Sequence, residues 1–422
     1  MRKAILVMAA LALAVPERAG AAEAPLAAVL TLDQAVQRVQ QVGFEVRMAR
    51  GDAEIAAGDA ASASAGLRPQ ISISGTTLDA NEPQLGMPIA RQSYGAATLS
   101  VPIFTPSAHF SARSAASSAQ AARSTVDASV SDAVLAVVQT YRHAQLADAV
   151  FGVRQVAVRD QHSHLTVTQA RVDAGNAASY TLARDRAGLA VAVQAAEDAA
   201  AERDEAENDL AALLDLPVQT PPHVEPLAKV PFLDTREALL ARALRHRPSY
   251  AAAQLSLAAA KLAADSARAA YLPTAQLTAQ TYNGTSTPAL GSAGAQVGVT
   301  VTLPIIDGGS RAAAILRAQG ALDRATAARD QLLIGIQRDV ANAYRELQAS
   351  RTNLDTAQAA RADAEEQLRV ARLRESSGKS IELEVLDALS VAAASRETVL
   401  RSLARYDDAV AALHHAVGDR TP

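Results

Sequence analysis

Three carboxylates lie close together late in the chain, at Glu382, Glu384 and Asp387. Residues three apart on a helix share a face, so Glu384 and Asp387 would present their charges to the same side. Carboxylates grouped in this way attract cations, above all divalent ones. They also stabilise the first turns of a helix, whose N-terminus carries a partial positive charge. Both interpretations are open at this point: a charged group that lines an opening, and acids that complement a helix N-terminus.

Other patterns that could do chemistry are weaker. The sequence Ser-Gly-Lys-Ser at residues 377–380 resembles the end of a phosphate-binding loop, but Leu373 stands where that motif needs an earlier glycine. His162 and His164 are two apart on a predicted helix, so they point to different faces and cannot bind one metal together. The chain has no Cys and shows no nucleophile–base or zinc motif. We therefore expect no enzymatic activity, no catalytic residues, no metal site and no cofactor.

The composition predicts a helical protein, and the N-terminal segment predicts that it is exported from the cytoplasm. The net charge of −4 over 422 residues gives no basic surface for nucleic acid, and aromatic residues make up only 3%. The apolar share is largely Ala, which is typical of long helices. Arg2 and Lys3 precede the apolar run 4–15 and the small residues 19–22, a pattern that predicts a signal peptide. The alternative, a membrane anchor, is disfavoured because a bilayer needs about 20 apolar residues.

The sequence contains an internal repeat of about 200 residues. Tyr344 and Gly378 each lie 203 residues after Tyr141 and Gly175, and a Leu-Pro strand entry and a Pro-containing strand exit recur in the same order. A Pro-rich stretch separates the two copies, and proline disfavours helix. The predicted domains are a signal peptide over 1–21, a first repeat over 22–216, a linker over 217–234, a second repeat over 235–418 and a tail over 419–422.

Each repeat has the same predicted order of a helix, two strands and a long helical hairpin. The strands alternate apolar and polar residues with period two, which suits a membrane strand and an exposed sheet equally well. The first predicted helices cover 32–65 and 235–270, and the strands cover 70–78, 94–101, 274–282 and 295–303. The first arm of the first hairpin, over 108–172, would span about 100 Å as a helix. An arm of that length must pack sideways against others, in a coiled coil or a tube of helices.

This doubled order resembles the TolC family of outer-membrane efflux proteins, over about residues 32–418. The residues that carry the resemblance are Leu67 with Pro69, Leu272-Pro273, the exits Val-Pro-Ile-Phe at 101–104 and Leu-Pro-Ile-Ile-Asp-Gly-Gly at 303–309, and the stretch 378–388. The resemblance implies a mainly α fold with a small β part. Long helical hairpins would form a periplasmic α-barrel, and four strands per protomer would complete a trimeric twelve-stranded transmembrane β-barrel.

The function that the resemblance implies is a passive exit duct in the outer membrane, extending into the periplasm and gated at its helical tips. Its partners would be outer-membrane lipid, two further copies of the chain, a periplasmic adaptor and an inner-membrane pump, in a tripartite efflux or type I secretion system. Elementary geometry agrees, since four strands cannot close a barrel and open edges cannot face lipid. The alternative is a periplasmic coiled-coil adaptor or scaffold, which also uses long Ala-rich hairpins but needs only one.

The resemblance also implies roles for residues near the tips. Glu384 and Asp387 fall where the acidic rings of the family's pore aperture lie, and Arg184 occupies the position of the first repeat that matches Asp387. Arg184 in a neighbouring hairpin would then form a salt bridge that holds the aperture shut. The sequence departs from the family at its tip lock, where Glu375 and Ser380 stand in place of Tyr and Arg.

The two hairpin turns are predicted to dock the adaptor. Their residues are Gly175 and Asn176 in the first repeat, and Gly378 and Lys379 in the second. At the opposite end of the molecule, the Gly-, Pro- and Asn-rich stretches 79–93 and 283–294 are predicted to be extracellular loops.

Overall fold

The structure, a computed structural model, describes residues 29–78, 92–217, 223–230, 236–285, 293–377 and 382–419. The predicted signal peptide, most of the two predicted extracellular loops, and Gly378 and Lys379 lie outside these residues. The described chain is mainly helical with a few strands, which confirms the predicted fold class. The same order of elements occurs twice along it.

Each repeat begins with two helices rather than the single helix that the sequence predicts. In the first repeat these are α1 (Leu32–Val42) and α2 (Phe44–Ala65). Thr31 and Gln34 form a capping box at the start of α1. The break falls at Gly43, whose backbone is extended, and a Cβ there would lie 2.6 Å from the carbonyl oxygen of Val39.

The second repeat breaks its first helix in a different way. Helix α5 spans Arg236–His246 and α6 spans Pro248–Ala269. Arg247 between them is extended, as expected of a residue that precedes proline. Both predictions of one continuous helix were wrong, because the hydrophobic period continues across a break that the backbone makes locally.

The strands form two sheets. A parallel pair joins β1 (Val29–Leu30) to β4 (His223–Val224). The larger sheet contains β2 (Gln70–Leu78), β3 (Gln92–Phe104), β5 (Thr274–Thr285) and β6 (Ala293–Thr302). Its order is β2-β3-β5-β6 with antiparallel neighbours throughout, so the two repeats meet at the β3–β5 pair. All four predicted strands are present, the first with the predicted bounds.

The two faces of the larger sheet differ in chemistry. Residues paired across the strands share a face, and one face carries mainly aliphatic side chains: Ile71, Ile73, Leu99, Leu277, Val297, Val299 and Val301. The other face carries hydroxyls and amides, and Gln296 donates a hydrogen bond to Oε1 of Gln280 at 3.1 Å. No Asp, Glu, Lys or Arg occurs in any of the four strands.

Long helices follow each strand pair. Helix α3 spans Pro106–Asp173 and α4 spans Ser179–Leu213, while α7 spans Ser310–Ser376 and α8 spans Glu382–Val417. The 68 residues of α3 give a length of about 100 Å, as the sequence predicts. Among the described helices, none has an apolar stretch long enough to cross a membrane.

Hydrogen bonds clamp the segment 223–230, which joins the repeats, onto α3 and α8. The buried hydroxyl of Tyr141 donates to the carbonyl of Leu30 at 2.8 Å and accepts from the amide of Glu225 at 3.1 Å. Gln145 donates to the carbonyl of Glu225 at 2.6 Å. Asp407 on α8 accepts from the amide of Val230 at 3.0 Å. We call Tyr141, Gln145 and Asp407 the linker clamp.

The linker clamp lies against the apolar cores of the two repeats. The first core surrounds Tyr141 and includes Leu30, Leu210 and Leu214. The second core is built from α5, α7 and α8, and Tyr344 packs against it while only partly buried. The equivalent tyrosines of the two repeats therefore differ, since Tyr141 is fully buried.

Candidate functional site

The turn between α3 and α4 forms the first helical tip. Gly175 has a φ of +74°, its amide donates to the carbonyl of Val172 at 2.9 Å, and the amide of Asn176 donates to the carbonyl of Arg171 at 2.8 Å. This is a Schellman motif, which favours glycine at the left-handed position. Gly175 and Asn176 are both exposed, so the predicted docking turn of the first repeat is a free surface on the single chain.

The second tip lies beside the first. Helix α7 ends at Ser376 and α8 begins at Glu382, with the predicted docking residues of this turn outside the described part of the chain. An ion pair between Arg171 of α3 and Glu375 of α7, 3.0 Å long, brings the ends of the two long helices together. The two tips therefore occupy the same end of the molecule.

The predicted aperture acids project from α8 away from its packed side. Val385 and Ala388 are buried in a small core that α7 and α8 share, whereas Asp387 is exposed and Glu384 is partly exposed. Glu384 lies 3.3 Å from Arg374 of α7. Both side chains of that pair are largely in solvent, where an ion pair contributes about 0–1 kcal/mol.

Arg184 does not contact these acids within one chain. It is exposed on α4, and among the described residues it forms no ion pair. Its neighbour Asp185 is turned inward and is only 1% exposed. The salt bridge that we predict between Arg184 and an adjacent hairpin stays a prediction.

The structure reveals a buried polar cluster near the tips that the sequence analysis missed. His164 of α3 lies with Nε2 3.6 Å from Oδ2 of Asp185 on α4, and with Nδ1 3.8 Å from Oε1 of Glu375 on α7. The guanidinium of Arg171 pairs with the same oxygen of Glu375. We call His164, Arg171, Asp185 and Glu375 the tip cluster. As predicted, the two histidines face different sides of α3, since His162 is exposed.

One signal in the sequence could have indicated this cluster. Arg171 and Glu375 are 204 residues apart, close to the repeat spacing, so the repeats place two opposite charges at the same height. A second ion pair between the same helices follows one turn away from His164, where Arg372 lies 3.1 Å from Asp160. Contacts between α3 and α7 at this end are therefore ionic.

A second group of buried charges belongs to the linker clamp. Asp407 lies 4.0 Å from Arg142, and burial raises the pKa of its carboxyl. Burial, together with the nearby charge of Asp407, raises the pKa of Asp408 to about 6, against the opposing influence of Arg142 and His143. Oδ1 of Asp408 is buried without a hydrogen-bond partner.

The described residues hold no group of three or more His, Asp or Glu side chains arranged to bind a metal ion. In the tip cluster, the two carboxylates face opposite nitrogens of one imidazole ring, so a single ion could not contact both. The described chain therefore carries charged helix ends at one end of the molecule. At its other end lies a sheet without charged residues, whose outer strand edges are unpaired among the described residues.

Comparisons with known proteins agree with this arrangement. The model of the family described as outer membrane efflux protein matches residues 32–215 and 239–419. No curated protein matches the chain with significance. The fold is similar to that of CusC, with a TM-score of 0.81 and 20% identity over 92% of both chains.

Two further solved structures are similar. The Campylobacter jejuni outer membrane channel CmeC gives a TM-score of 0.81 and 18% identity, over 92% of this chain and 85% of its own. The outer membrane channel MtrE of Neisseria gonorrhoeae, solved in its open state, gives 0.79 and 21% identity over 94% of both chains. At these identities the structural likeness concerns the fold.

Proposed function

The chain belongs to the outer membrane efflux protein family, and on that premise we propose that three copies form one passive exit duct, which crosses the outer membrane through a shared β-barrel and extends into the periplasm as a tube of helices. The family and its structural neighbours are channels rather than enzymes. The duct would receive its cargo from an inner-membrane pump through a periplasmic adaptor.

The open sheet is the observation that carries this proposal. Among the described residues, strands β2 and β6 each have a neighbour on one side only, and an unpaired strand edge is not tolerated in lipid. About eight strands are the fewest that close into a barrel, so four must combine with those of other copies. The aliphatic face is unusually exposed for a single chain, with Ile73 at 86% and Val297 at 73%. That face suits lipid, and the hydroxyl- and amide-bearing face suits a water-filled lumen.

Exposed apolar side chains on the helices support the same assembly. Phe44 and Met48 lie one turn apart on α2 and are 56% and 64% exposed. Leu316 and Ile334 on α7 are 72% and 67% exposed. Side chains of this size gain about 1.5–3 kcal/mol each on full burial, and neighbouring copies in a tube of helices would cover them.

The tips are the proposed gate. Repeated around a threefold axis, Glu384 and Asp387 would place six carboxylates about one opening, and Arg184 of an adjacent hairpin would neutralise part of that charge. The turns at Gly175 and Asn176, and at Gly378 and Lys379, would face the adaptor. Support for these roles comes from the exposure of Asp387, Arg184 and the first turn.

Cysteine cross-linking tests the shared barrel, since the chain has no Cys of its own. Ser72→Cys on β2 is combined in turn with Gln296→Cys, Thr300→Cys or Thr302→Cys on β6, all on the same sheet face. Oxidation of outer-membrane fractions should yield dimer and trimer bands for at least one combination, with nothing larger. Each single variant is the matched control and should stay monomeric in the denaturing gel. Recovery of the protein in the soluble periplasm, without cross-links, would favour the adaptor alternative.

Substitution of Asn176 tests adaptor docking without straining the backbone, because Asn176 is exposed and its φ is not positive. Asn176→Trp should reduce export in intact cells at least tenfold while leaving the trimer band unchanged, and Asn176→Ala is the control at the same position. Normal export by the Trp variant would remove this turn from the docking surface.

A further inference from the structure

His164 lies between two carboxylates that belong to two other helices. Asp185 of α4 faces Nε2 at 3.6 Å and Glu375 of α7 faces Nδ1 at 3.8 Å. The side chains of His164 and Asp185 are 5% and 1% exposed, and that of Glu375 is 11% exposed. One imidazole ring on α3 therefore faces carboxylates of two other helices, α4 and α7, near the tips.

Several buried polar atoms in or next to the tip cluster have no hydrogen-bond partner among the described residues. His164 Nε2, Thr168 Oγ1 and both carboxylate oxygens of Asp185 are buried and have no hydrogen-bond partner in the part of the chain that the structure describes. Arg171 compensates Glu375 directly, but it does not pair with Asp185. A buried carboxylate without a partner is costly, and removing one partner from a buried pair strongly destabilises the fold.

A proton on His164 would supply a second N–H donor and a positive charge between the two carboxylates. Neutral imidazole has one N–H donor and can serve only one of the two carboxylates, whereas imidazolium has two donors and a positive charge. Three other arginines at this level have carboxylate partners: Arg171 with Glu375, Arg372 with Asp160, and Arg374 of α7 with Glu384 of α8. Arg184, next to Asp185 on α4, points into solvent and forms no ion pair among the described residues. Arg186 of α4 is exposed and reaches Gln169 at 3.5 Å.

We infer that His164 is a positioning residue, a proton-dependent tie that holds α3 to α4 and α7 in the closed arrangement of the tips. Protonated His164 bridges Asp185 and Glu375 and fixes the three helices together. Loss of the proton removes the positive charge of the ring beside Asp185, and separation of the helices, which admits water to Asp185, then costs less. This inference rests on the proposed duct, because the helices that it joins are those that must part when a duct opens at its tips.

Single-channel recording in planar bilayers between pH 5.5 and 7.5 tests the inference, since histidine changes charge in this range. In the parent, the open-to-closed ratio should rise severalfold from pH 5.5 to pH 7.5. His164→Gln keeps a hydrogen-bonding side chain but cannot gain a proton, so its ratio should stay constant. The matched control is His162→Gln, two residues away on the exposed face of α3.

The recordings are repeated with Glu384→Ala and Asp387→Ala in the background, so that titration of the aperture acids does not contribute. The inference is overturned if the His164→Gln channel keeps the pH response of the parent, or if His162→Gln loses it. Absence of any conductance in the parent chain would instead contradict the proposed duct.

A distance measurement gives a second readout that does not depend on current. Spin labels at Val167 on α3 and Leu373 on α7, both exposed, report the separation of the two helices in trimers diluted with unlabelled chains. The distance distribution should narrow at pH 5.5 in the parent and stay broad in the His164→Gln variant. Identical distributions at both pH values in the parent would contradict a proton-dependent tie.

Discussion

The linker clamp and the tip cluster both join helices of the two repeats, but they use different partners. In the linker clamp, Tyr141, Gln145 and Asp407 bond to main-chain groups of Leu30, Glu225 and Val230. In the tip cluster, every partner is an ionisable side chain. A main-chain amide or carbonyl does not change its charge with pH, whereas an ion pair does. The comparison teaches that the linker clamp holds main-chain groups, although one of its side chains, Asp407, is itself ionisable, whereas the tip cluster is held by ionisable side chains alone.

The glycines at the two ends sharpen this comparison. Gly418 ends α8 near the linker clamp and Gly175 ends α3 at the tip, with φ values of +84° and +74°. A Cβ on Gly418 would lie 2.8 Å from the backbone of Arg247, whereas one on Gly175 would meet nothing within 4 Å. The same cap is therefore packed at one end and free at the other.

The largest effect is expected from Gly418→Ala. A left-handed alanine costs about 1–2 kcal/mol, and displacement of the Arg247 backbone raises the total loss in free energy of unfolding to about 3–4 kcal/mol. Gly175→Ala, the matched control, should cost only the first part. Chemical denaturation of the two variants measures the difference. Equal losses would show that the end near the linker clamp is no more tightly packed than the tip.

Tyr141→Phe should have the next largest effect. It removes the hydroxyl that serves Leu30 and Glu225 and leaves two main-chain groups without their partner in a buried place, at a cost of about 2 kcal/mol. Tyr344→Phe is the control at the equivalent position of the second repeat, where the change should be within about 0.5 kcal/mol. Both are read from denaturant midpoints. A comparable loss in the two variants would mean that ring packing, not the hydroxyl, holds the segment.

Asp408→Asn tests how the buried carboxylate beside the linker clamp makes stability depend on pH. Because the pKa of Asp408 is raised to about 6, the folded chain binds a proton more tightly than the unfolded one. The free energy of unfolding of the parent should therefore fall as pH rises from about 4 to 6. The Asn variant should lose that slope and be about 1–2 kcal/mol more stable than the parent at pH 7. Asp355→Asn, at an exposed position on α7, should leave the slope unchanged.

The smallest effect is expected from the acids at the aperture. Glu384→Ala with Asp387→Ala should raise single-channel conductance by about twofold and weaken block by divalent cations, since six carboxylates attract such ions. Arg184→Ala alone should raise the open probability if an adjacent hairpin bridges to it. Unchanged conductance and unchanged cation block in the double variant would mean that the acids only stabilise the start of α8.

Much of the fold could be predicted from the sequence because its elements are long and periodic. The four strands alternate with period two, and the long helices contain no proline after the first residue of α3, so local pattern is enough to place them. The breaks at Gly43 and Arg247 were missed, since a helical period continues on both sides of each. Equivalence of Tyr141 and Tyr344 was visible in the repeat spacing, but their different burial depends on β1 and β4, two-residue strands without a recognisable pattern.

The tip cluster could not be predicted in the same way. In the sequence, His164 was considered only as a possible metal ligand. Its partners Asp185 and Glu375 lie about 20 and about 210 residues further along the chain. No local pattern encodes contacts at that range. The resemblance to a family drew attention to Arg184, whereas the structure buries its neighbour Asp185, because one step along a helix turns a side chain by about 100°.

The open edges of the four-stranded sheet have a genetic consequence. On the proposed trimer, each of the three seams of the barrel joins β2 of one chain to β6 of the next, so a protomer altered in β2 or in β6 spoils one seam of its duct. In a cell that makes altered and normal chains in equal amounts and mixes them freely, only about one eighth of the ducts would be wholly normal. Alleles that change β2 or β6 but still assemble should therefore be dominant, whereas alleles that prevent a chain from folding should be recessive.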